Sequence, residues 1–116
     1  MIDRKKIGNS GEEAAVLFLQ KHAYTIIERN YRYSRAEIDI IAQKDNALVF
    51  IEVKTRKNAL YGYPETFVTE PQQERIHLAA EEYVLQKKWV GDIRFDIMAI
   101  LWDGRHPVID HFEDAF

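Results

Sequence analysis

The chain lacks cysteine and long apolar runs, and these absences exclude several classes of protein. None of its 116 residues is a cysteine, which excludes a disulfide framework and a zinc site with thiolate ligands. No stretch approaches the roughly 18 consecutive apolar residues that a membrane-spanning helix needs. The polar N-terminus also lacks the apolar core of a signal peptide. These absences predict a soluble, cytoplasmic protein with no membrane partner.

The sequence also lacks the short motifs of several common enzyme classes. No GxGxxG, GxxxxGK or GxSxG segment is present, so a nucleotide-binding glycine loop and a serine nucleophile elbow have no support. The four histidines show no ligand spacing such as HxxxH. Together with the missing cysteine, this argues against zinc.

Charge of both signs is plentiful but unevenly distributed. The net charge of −3 is mildly unfavourable for binding a polyanion. Residues 1–57 hold 11 Lys and Arg against 8 Asp and Glu, whereas residues 58–116 hold 5 against 11. The basic half could face nucleic acid, or its charges could simply be solvated, and composition leaves both interpretations open.

Length and hydrophobic periodicity predict one domain over residues 1–116 with the element order αβββαββ. The predicted elements are a helix over 8–23, strands over 24–32, 36–42 and 47–55, a helix that starts near Pro71 and ends before Gly91, and strands over 93–101 and 108–112. The start of the first helix has two solutions. Ser10 and Glu13 could form a capping box, or the helix could begin near Asp3 with two glycines inside it.

The two strands in the middle of the chain contain the strongest candidates for chemistry. Side chains alternate between the faces of a strand, so Glu52 and Lys54 share one face, and Glu37, Asp39 and Ile41 share one face of the neighbouring strand. A two-residue turn at 45–46 would place Asp39 opposite Glu52 and Glu37 opposite Lys54. A four-residue loop gives the same register, whereas a three-residue loop would destroy the arrangement.

Two directly opposed carboxylates indicate a cation site. Their Cβ atoms would lie about 4.5–5.5 Å apart, close enough to share one Mg²⁺ held about 2.0–2.1 Å from each oxygen. Without a cation the pair repels, or one acid takes up a proton. The alternative is a solvated face on which Lys54 merely offsets Glu37 and Glu52, although Ile41 and Phe50 on the same face weaken it.

Glu12 is predicted to be a further member of this site. It lies in the middle of the apolar stripe that Ala15, Val16 and Leu19 form on the first helix, so its carboxylate should point inwards. Glu13 lies on the polar side of the same helix. A favourable contact with the helix dipole in the first turn is the alternative explanation of Glu12.

Basic residues provide candidates for contacts with nucleic acid. Arg29, Arg32 and Arg35 are interspersed with Tyr31 and Tyr33, a mixture that can follow phosphates and stack on bases. Arg56, directly after the third predicted strand, joins this predicted set. An exposed edge strand would have the same composition.

Several segments, taken in order along almost the whole chain, resemble the YraN family of small bacterial proteins. They are GNSGEEAA, RNYR, AEIDIIA, VFIEVKTR, a loop with Gly62 and Pro64, RFDIMAI and the terminal AF. That family is similar in fold to the archaeal Holliday junction resolvases and belongs among the PD-(D/E)xK endonuclease-like proteins. The resemblance implies an α/β fold with a restriction-endonuclease-like mixed sheet flanked by helices. It also puts Glu12, Asp39, Glu52 and Lys54 at the positions of the nuclease motif.

The resemblance implies a metal-dependent endonuclease that hydrolyses phosphodiester bonds in DNA, branched or single-stranded. We expect Mg²⁺ or Mn²⁺ as cofactor, with Asp39, Glu52, the Val53 carbonyl and Glu12 around it, and Lys54 orienting water or stabilising the developing charge. Symmetric cutting of a four-way junction would require a homodimer. The alternative is a non-catalytic nucleic-acid or protein-binding module on the same fold.

Two positions depart from the family pattern. Ala36 stands where the family usually has glycine, and Gln72 stands where it usually has a basic residue. The second change removes a cation that could have contacted a phosphate.

Overall fold

The structure is a computed structural model that describes residues 4–56, 68–102 and 105–116, with side chains from Ser10 onwards. The described elements are α1 (Arg4–Lys21), β1 (Thr25–Tyr33), β2 (Ala36–Lys44), β3 (Ala47–Arg56), α2 (Glu70–Lys87), β4 (Asp92–Trp102) and β5 (Pro107–Phe112). Their order confirms the predicted αβββαββ arrangement. The loop with Gly62 and Pro64 lies outside the described residues.

All five strands form one mixed sheet in the order β1-β2-β3-β4-β5. Strands β3 and β4 are parallel, and the other neighbours are antiparallel. A parallel pair needs a long crossover, and α2 lies within the one that joins β3 to β4. The predicted α/β class, with a mixed sheet and two helices, is therefore confirmed. Within the described ranges, neither helix has the length and apolar character to cross a bilayer.

Each helix packs on its own face of the sheet, because alternate strand residues enter two different apolar cores. The α1-side core includes Ala15, Leu19, Ile40, Val49, Ile51 and Met98. The α2-side core includes Ile38, Ile41, Phe50, Ile76, Ala80 and Ile97. Strands β2, β3 and β4 contribute to both cores, so they are covered on both faces and form the rigid centre of the molecule.

Helix α1 begins at Arg4 with Gly8 and Gly11 inside it, so the second of the two predicted starts is confirmed and Ser10 is not its N-cap. Gly11 is fully enclosed, and a Cβ atom there would collide with the Thr55 side chain of β3. Only glycine lets the helix lie this close to the end of β3. The contact fixes the height of Glu12 above the sheet.

Helix α2 has well-defined ends. Thr69 is the N-cap, its hydroxyl accepts a hydrogen bond from the Gln72 N–H at 3.3 Å, and Pro71 occupies the first turn. Lys88 ends the helix in a left-handed conformation with φ 54°. A capped start holds the first turn in place, and this turn carries Gln72 towards the end of β3.

Strands β2 and β3 pair in the predicted register. A two-residue turn at Asp45 and Asn46 brings Lys44 opposite Ala47, and the paired residues continue to Ile40 opposite Ile51. Asp45 adopts φ 53°, a left-handed conformation that aspartate tolerates better than most residues. The main-chain ladder stops just before Asp39 and Glu52.

A buried polar network, which the sequence pattern did not reveal, joins β4 to the elements around it. Asp96 is fully buried. Its Oδ1 accepts hydrogen bonds from Arg94 Nε at 2.9 Å and from the Asp114 N–H at 3.0 Å. Its Oδ2 accepts one from Arg94 Nη2 at 2.8 Å and lies 2.6 Å from His111 Nε2. Arg94 also donates to the Tyr24 hydroxyl at 2.6 Å. Burial raises the pKa of Asp96, but these hydrogen bonds outweigh it and hold the pKa below its usual value. The network links β4 and β5 with Tyr24, which directly precedes β1, and with Asp114 near the C-terminus.

Replacing Gly11 with alanine tests the close approach of α1. Alanine is the better helix former by roughly 1 kcal/mol, yet overpacking a filled site costs about 1–3 kcal/mol. We expect Gly11→Ala to lower the free energy of unfolding by about 1–2 kcal/mol in urea denaturation. Adding Thr55→Ala should recover part of this loss, because it removes the atoms that collide. A more stable Gly11→Ala protein would contradict the contact.

Replacing Asp96 with asparagine tests the network. Removing one partner of a buried ion pair costs about 3–5 kcal/mol, and because Arg94 is partly accessible we expect about 3 kcal/mol at pH 7. Folding lowers the pKa of Asp96. The contribution of the Asp96 carboxylate to the free energy of unfolding is therefore present above about pH 4 and is lost as the pH falls through the pKa of the folded state. Denaturant titrations of both proteins at several pH values measure this. Asp110→Asn, on the exposed side of β5, is the matched control and should change little.

Candidate functional site

The carboxyl groups of Asp39 and Glu52 meet where the β2–β3 ladder ends. Oδ2 of Asp39 accepts a hydrogen bond from the Val53 N–H at 2.8 Å, so a side chain takes the place of the next main-chain partner. The charge of Glu52 also raises the pKa of Asp39, so the two carboxyl groups interact directly. The predicted pair is therefore brought together, although by a side-chain contact and not as an ordinary ladder pair.

The strict alternation expected along β2 is wrong near Asp39. Ile38 and Ile41 lie three residues apart, yet both pack in the α2-side core, while Ile40 packs in the α1-side core. The face predicted for residues 37, 39 and 41 is thus interrupted. At this point the Asp39 side chain accepts a hydrogen bond from the Val53 N–H of β3 and the β2–β3 ladder ends, while β2 stays paired with β1.

The predicted pairing of Glu37 with Lys54 is also not observed. The ladder between β2 and β3 ends at Ile40, and Glu37 instead pairs with Arg32 of β1. Its carboxylate lies 3.1 Å from the Arg32 guanidinium. Glu37 still raises the pKa values of Asp39 and Glu52 through its charge, so it adds to the negative field of the pair.

Burial and mutual repulsion make the acid pair hold on to a proton. Burial, followed by the charge of Glu52, raises the pKa of Asp39 to about 7, although the Val53 N–H opposes the shift. Burial likewise raises the pKa of Glu52, against the opposing effect of Lys54. Near neutral pH the two carboxyls therefore carry less than two negative charges between them.

Glu52 has one oxygen that is engaged and one that is not. Oε1 lies 3.5 Å from the Lys54 ammonium nitrogen and accepts from the Gln72 amide at 3.4 Å. Oε2 is buried and has no hydrogen-bond partner among the described residues. A buried carboxylate oxygen without a donor is costly, and a cation would relieve that cost.

Glu12 of α1 is near enough to Asp39 to feel its charge, whereas Glu13 is largely exposed. The Glu12 side chain is 20% exposed and that of Glu13 is 60% exposed. Burial and then the charge of Asp39 raise the pKa of Glu12, while Arg29 opposes the shift. The structure thus places Glu12 in the electrostatic field of Asp39.

The predicted arginine and tyrosine set is divided by the structure. Arg29 lies 2.6 Å from Glu13 and 3.8 Å from Glu12, so it neutralises the acids of α1. Tyr31 packs edge-on against Tyr83 with 5.2 Å between the ring centres. Since this ring contributes to the core, it is not available to stack on a base.

The remaining members of that set lie at the same end of the sheet as the acid pair. Arg32 is bound to Glu37, as described above, and Arg56 donates to the Thr55 carbonyl oxygen at 2.8 Å. Tyr33 and Arg35 lie at the β1–β2 turn and are exposed. The alternation in this strand is broken at Asn30, which adopts φ 54°.

The residues around the pair fit Mg²⁺ or Mn²⁺ better than a metal held only by side chains. In the described part of the chain, no three Asp, Glu or His side chains converge as a metal-binding group. Glu12 therefore does not complete a three-carboxylate set with Asp39 and Glu52. Mg²⁺ commonly binds through one or two carboxylates and keeps several waters, which matches this pair and the open Glu52 oxygen.

The contact between Gln72 and Glu52 could not be found from sequence. The sequence predicts that Gln72 lies at the start of a helix, at a position where the resembled family usually has a basic residue. Thr69 and Pro71 predict where α2 begins, but no local pattern tells which strand end its first turn meets.

Comparison with known proteins gives a consistent assignment. The family model described as "Uncharacterised protein family UPF0102" matches residues 11–100, which include every candidate site residue named above. A UPF0102 protein of Flavobacterium psychrophilum is 44% identical over 116 residues, covering 100% of this chain and 98% of the relative.

Two further relatives show the same extent. A UPF0102 protein of Geotalea daltonii is 47% identical and covers 98% of this chain and 91% of its own length. One from Bacteroides thetaiotaomicron is 40% identical and covers 100% of this chain and 96% of its own length. With the family model matching most of the chain and relatives matching nearly all of it, this protein belongs to the UPF0102 family.

Proposed function

We propose that this protein is a metal-dependent nuclease of the PD-(D/E)xK type, with a restriction-endonuclease-like sheet, that hydrolyses phosphodiester bonds in DNA. The observation that carries the proposal is the closeness of Asp39 to the buried Glu52, whose Oε2 has no hydrogen-bond partner among the described residues. Here the site holds two acids together and leaves one ligand position empty of any described donor.

Asp39 and Glu52 would hold the ion, with the main-chain carbonyl of Val53 as the expected third oxygen. When bound, Mg²⁺ or Mn²⁺ supplies charge for the phosphate oxygens and makes a coordinated water more acidic. A bound cation would favour the charged form of Asp39, with its proton released to solvent. Glu12, outside the immediate pair, would hold a water molecule on the α1 side.

Lys54 is the residue placed to act in the reaction itself. Its ammonium group lies beside Glu52 and its side chain is only 17% exposed. In this dry environment its charge acts more strongly than in water. We assign it to orienting the attacking water and stabilising negative charge as it develops on the phosphate.

A second candidate function, a non-catalytic binding module, is supported by Gln72. Its amide contacts Glu52 Oε1 at 3.4 Å, a place where a basic residue would have offered charge to a phosphate. A module of this kind would bind nucleic acid or protein and leave it uncut.

Metal-dependent cleavage distinguishes the two functions. We expect the protein to cut at least one of a set of duplex, single-stranded, flap and four-way DNA substrates with Mg²⁺ or Mn²⁺. Asp39→Asn should lower the rate at least about 100-fold, because a charged ligand is lost. Lys54→Ala should lower it similarly, yet keep the rise in melting temperature that the metal causes, since Lys54 is not a ligand.

Asp45→Asn, in the β2–β3 turn at the far end of the hairpin, is the matched control and should cut normally. No cleavage of any DNA or RNA by the unchanged protein, with no effect of Mg²⁺ or Mn²⁺ on its melting temperature, would reject the nuclease and favour the binding module.

The acid pair also predicts an unusual pH dependence of stability without metal. Because folding raises the pKa of Asp39 from about 4 to about 7, its contribution to stability is fully present below the unfolded value and is lost as the pH rises through that window. Asp39→Asn should therefore be more stable than the unchanged protein at pH 8, by on the order of 1 kcal/mol.

Urea denaturation in EDTA at pH 4.5 and pH 8 measures this gain. It should nearly vanish at pH 4.5, where Asp39 already holds its proton in the folded protein. A gain or loss of the same size at both pH values would show that Asp39 carries no excess proton.

A further inference from the structure

A cleft of about 480 Å³ lies between the β1–β2 turn and the outer face of α2. Its lining includes Tyr33, Arg35, Arg75, Leu78, Glu81 and Glu82. Both cationic residues belong to segments that reach the acid pair: Arg35 precedes Asp39 by four residues, and Arg75 follows Gln72 by one helical turn. The cleft is therefore a neighbour of the candidate active site.

The two arginines of the cleft differ from the others near the site. Arg29 and Arg32 are paired with glutamates. For Arg35 and Arg75, by contrast, the described residues provide neither a hydrogen-bond acceptor nor an ion-pair partner. Two unpaired guanidinium groups that line one cleft are suited to bind a phosphate, which guanidinium recognises through paired N–H groups.

The cleft also offers a surface for a nucleobase. Tyr33 is 40% exposed and Leu78 is 60% exposed, so an aromatic ring and an apolar side chain lie beside the arginines. Stacking on such a ring accepts any base. Glu81 and Glu82 repel a second phosphate, and their carboxylates can accept hydrogen bonds from base amino groups.

We propose that this cleft binds one unpaired nucleotide of a nucleic-acid strand, with its phosphate at Arg35 and Arg75 and its base against Tyr33. This inference rests on the proposed function in taking the strand as the substrate of the acid pair, but binding itself needs no cleavage. Bases inside a duplex are paired and stacked, and would have to be turned out to reach Tyr33. Single-stranded segments are therefore the preferred ligand.

Fluorescence anisotropy in EDTA tests the cleft without any cleavage. The probes are a fluorescein-labelled single strand of about 12 nucleotides and the same sequence as a duplex. We expect the single strand to bind at least about 10-fold more tightly. Arg35→Ala and Arg75→Ala should each weaken binding about 5-fold to 10-fold and lower the slope of log affinity against log salt by about 0.7, the value for one lost phosphate contact.

Tyr33→Ala separates stacking from charge. It should weaken binding of the single strand about 10-fold while leaving the salt slope unchanged, because no cation is removed. Lys21→Ala is the matched control for charge, since Lys21 is exposed and lies about 14 Å along α1 from Glu12, away from the cleft. Its affinity and salt slope should equal those of the unchanged protein.

Binding at the cleft and cleavage of DNA can be tested separately. Equal binding of single strand and duplex, or unchanged binding after Tyr33→Ala and Arg75→Ala, overturns the cleft even if the protein cleaves DNA. Cleft-dependent binding of the single strand by a protein that cuts nothing supports the cleft and overturns the nuclease.

Discussion

The arrangement of the site depends on one repulsive interaction, between the half-buried carboxyl group of Asp39 and the buried one of Glu52. Two neighbouring carboxylates that are largely removed from water do not both ionise readily, so one of them tends to keep a proton. The fold nevertheless imposes the contact through the β2–β3 register and the hydrogen bond from the Val53 N–H. The neighbouring groups relieve it only in part, because Lys54 and Gln72 both approach the same oxygen of Glu52.

The rest of the structure can be understood as the support of this unfavourable pair. Gly11 lets α1 lie directly on the end of β3, which brings Glu12 into the field of the acids. The capped start of α2 places Gln72 on the opposite side of Glu52. Asp96 on the neighbouring strand β4 contrasts with this pair. It is also a buried acid, but both of its carboxylate oxygens have hydrogen-bond partners. Among the described residues, Asp96 is thus fully satisfied, whereas one oxygen of Glu52 and one oxygen of Glu28 are buried without a hydrogen-bond partner.

Much of the fold, and the identity of the acids, could be predicted from the sequence, because these depend on local patterns. Alternation and turn length gave the β2–β3 register, and periodicity gave α2. The faces along β2 could not be predicted, because alternation breaks where the Asp39 carboxylate accepts a hydrogen bond from the Val53 N–H. The ion pairs of Arg29 and Arg32 and the packing of Tyr31 depend on contacts between distant segments, and Asp96 looked like one polar residue in an apolar strand.

We propose that Asp39 and Glu52 form a cation site, and calorimetric titration with Mn²⁺ at pH 7 can detect it. We expect one site in the unchanged protein, at least about 10-fold weaker binding after Asp39→Asn or Glu52→Gln, and unchanged binding after Glu13→Gln, whose carboxylate is exposed and paired with Arg29. No binding by the unchanged protein, or equal binding by Asp39→Asn, would contradict it.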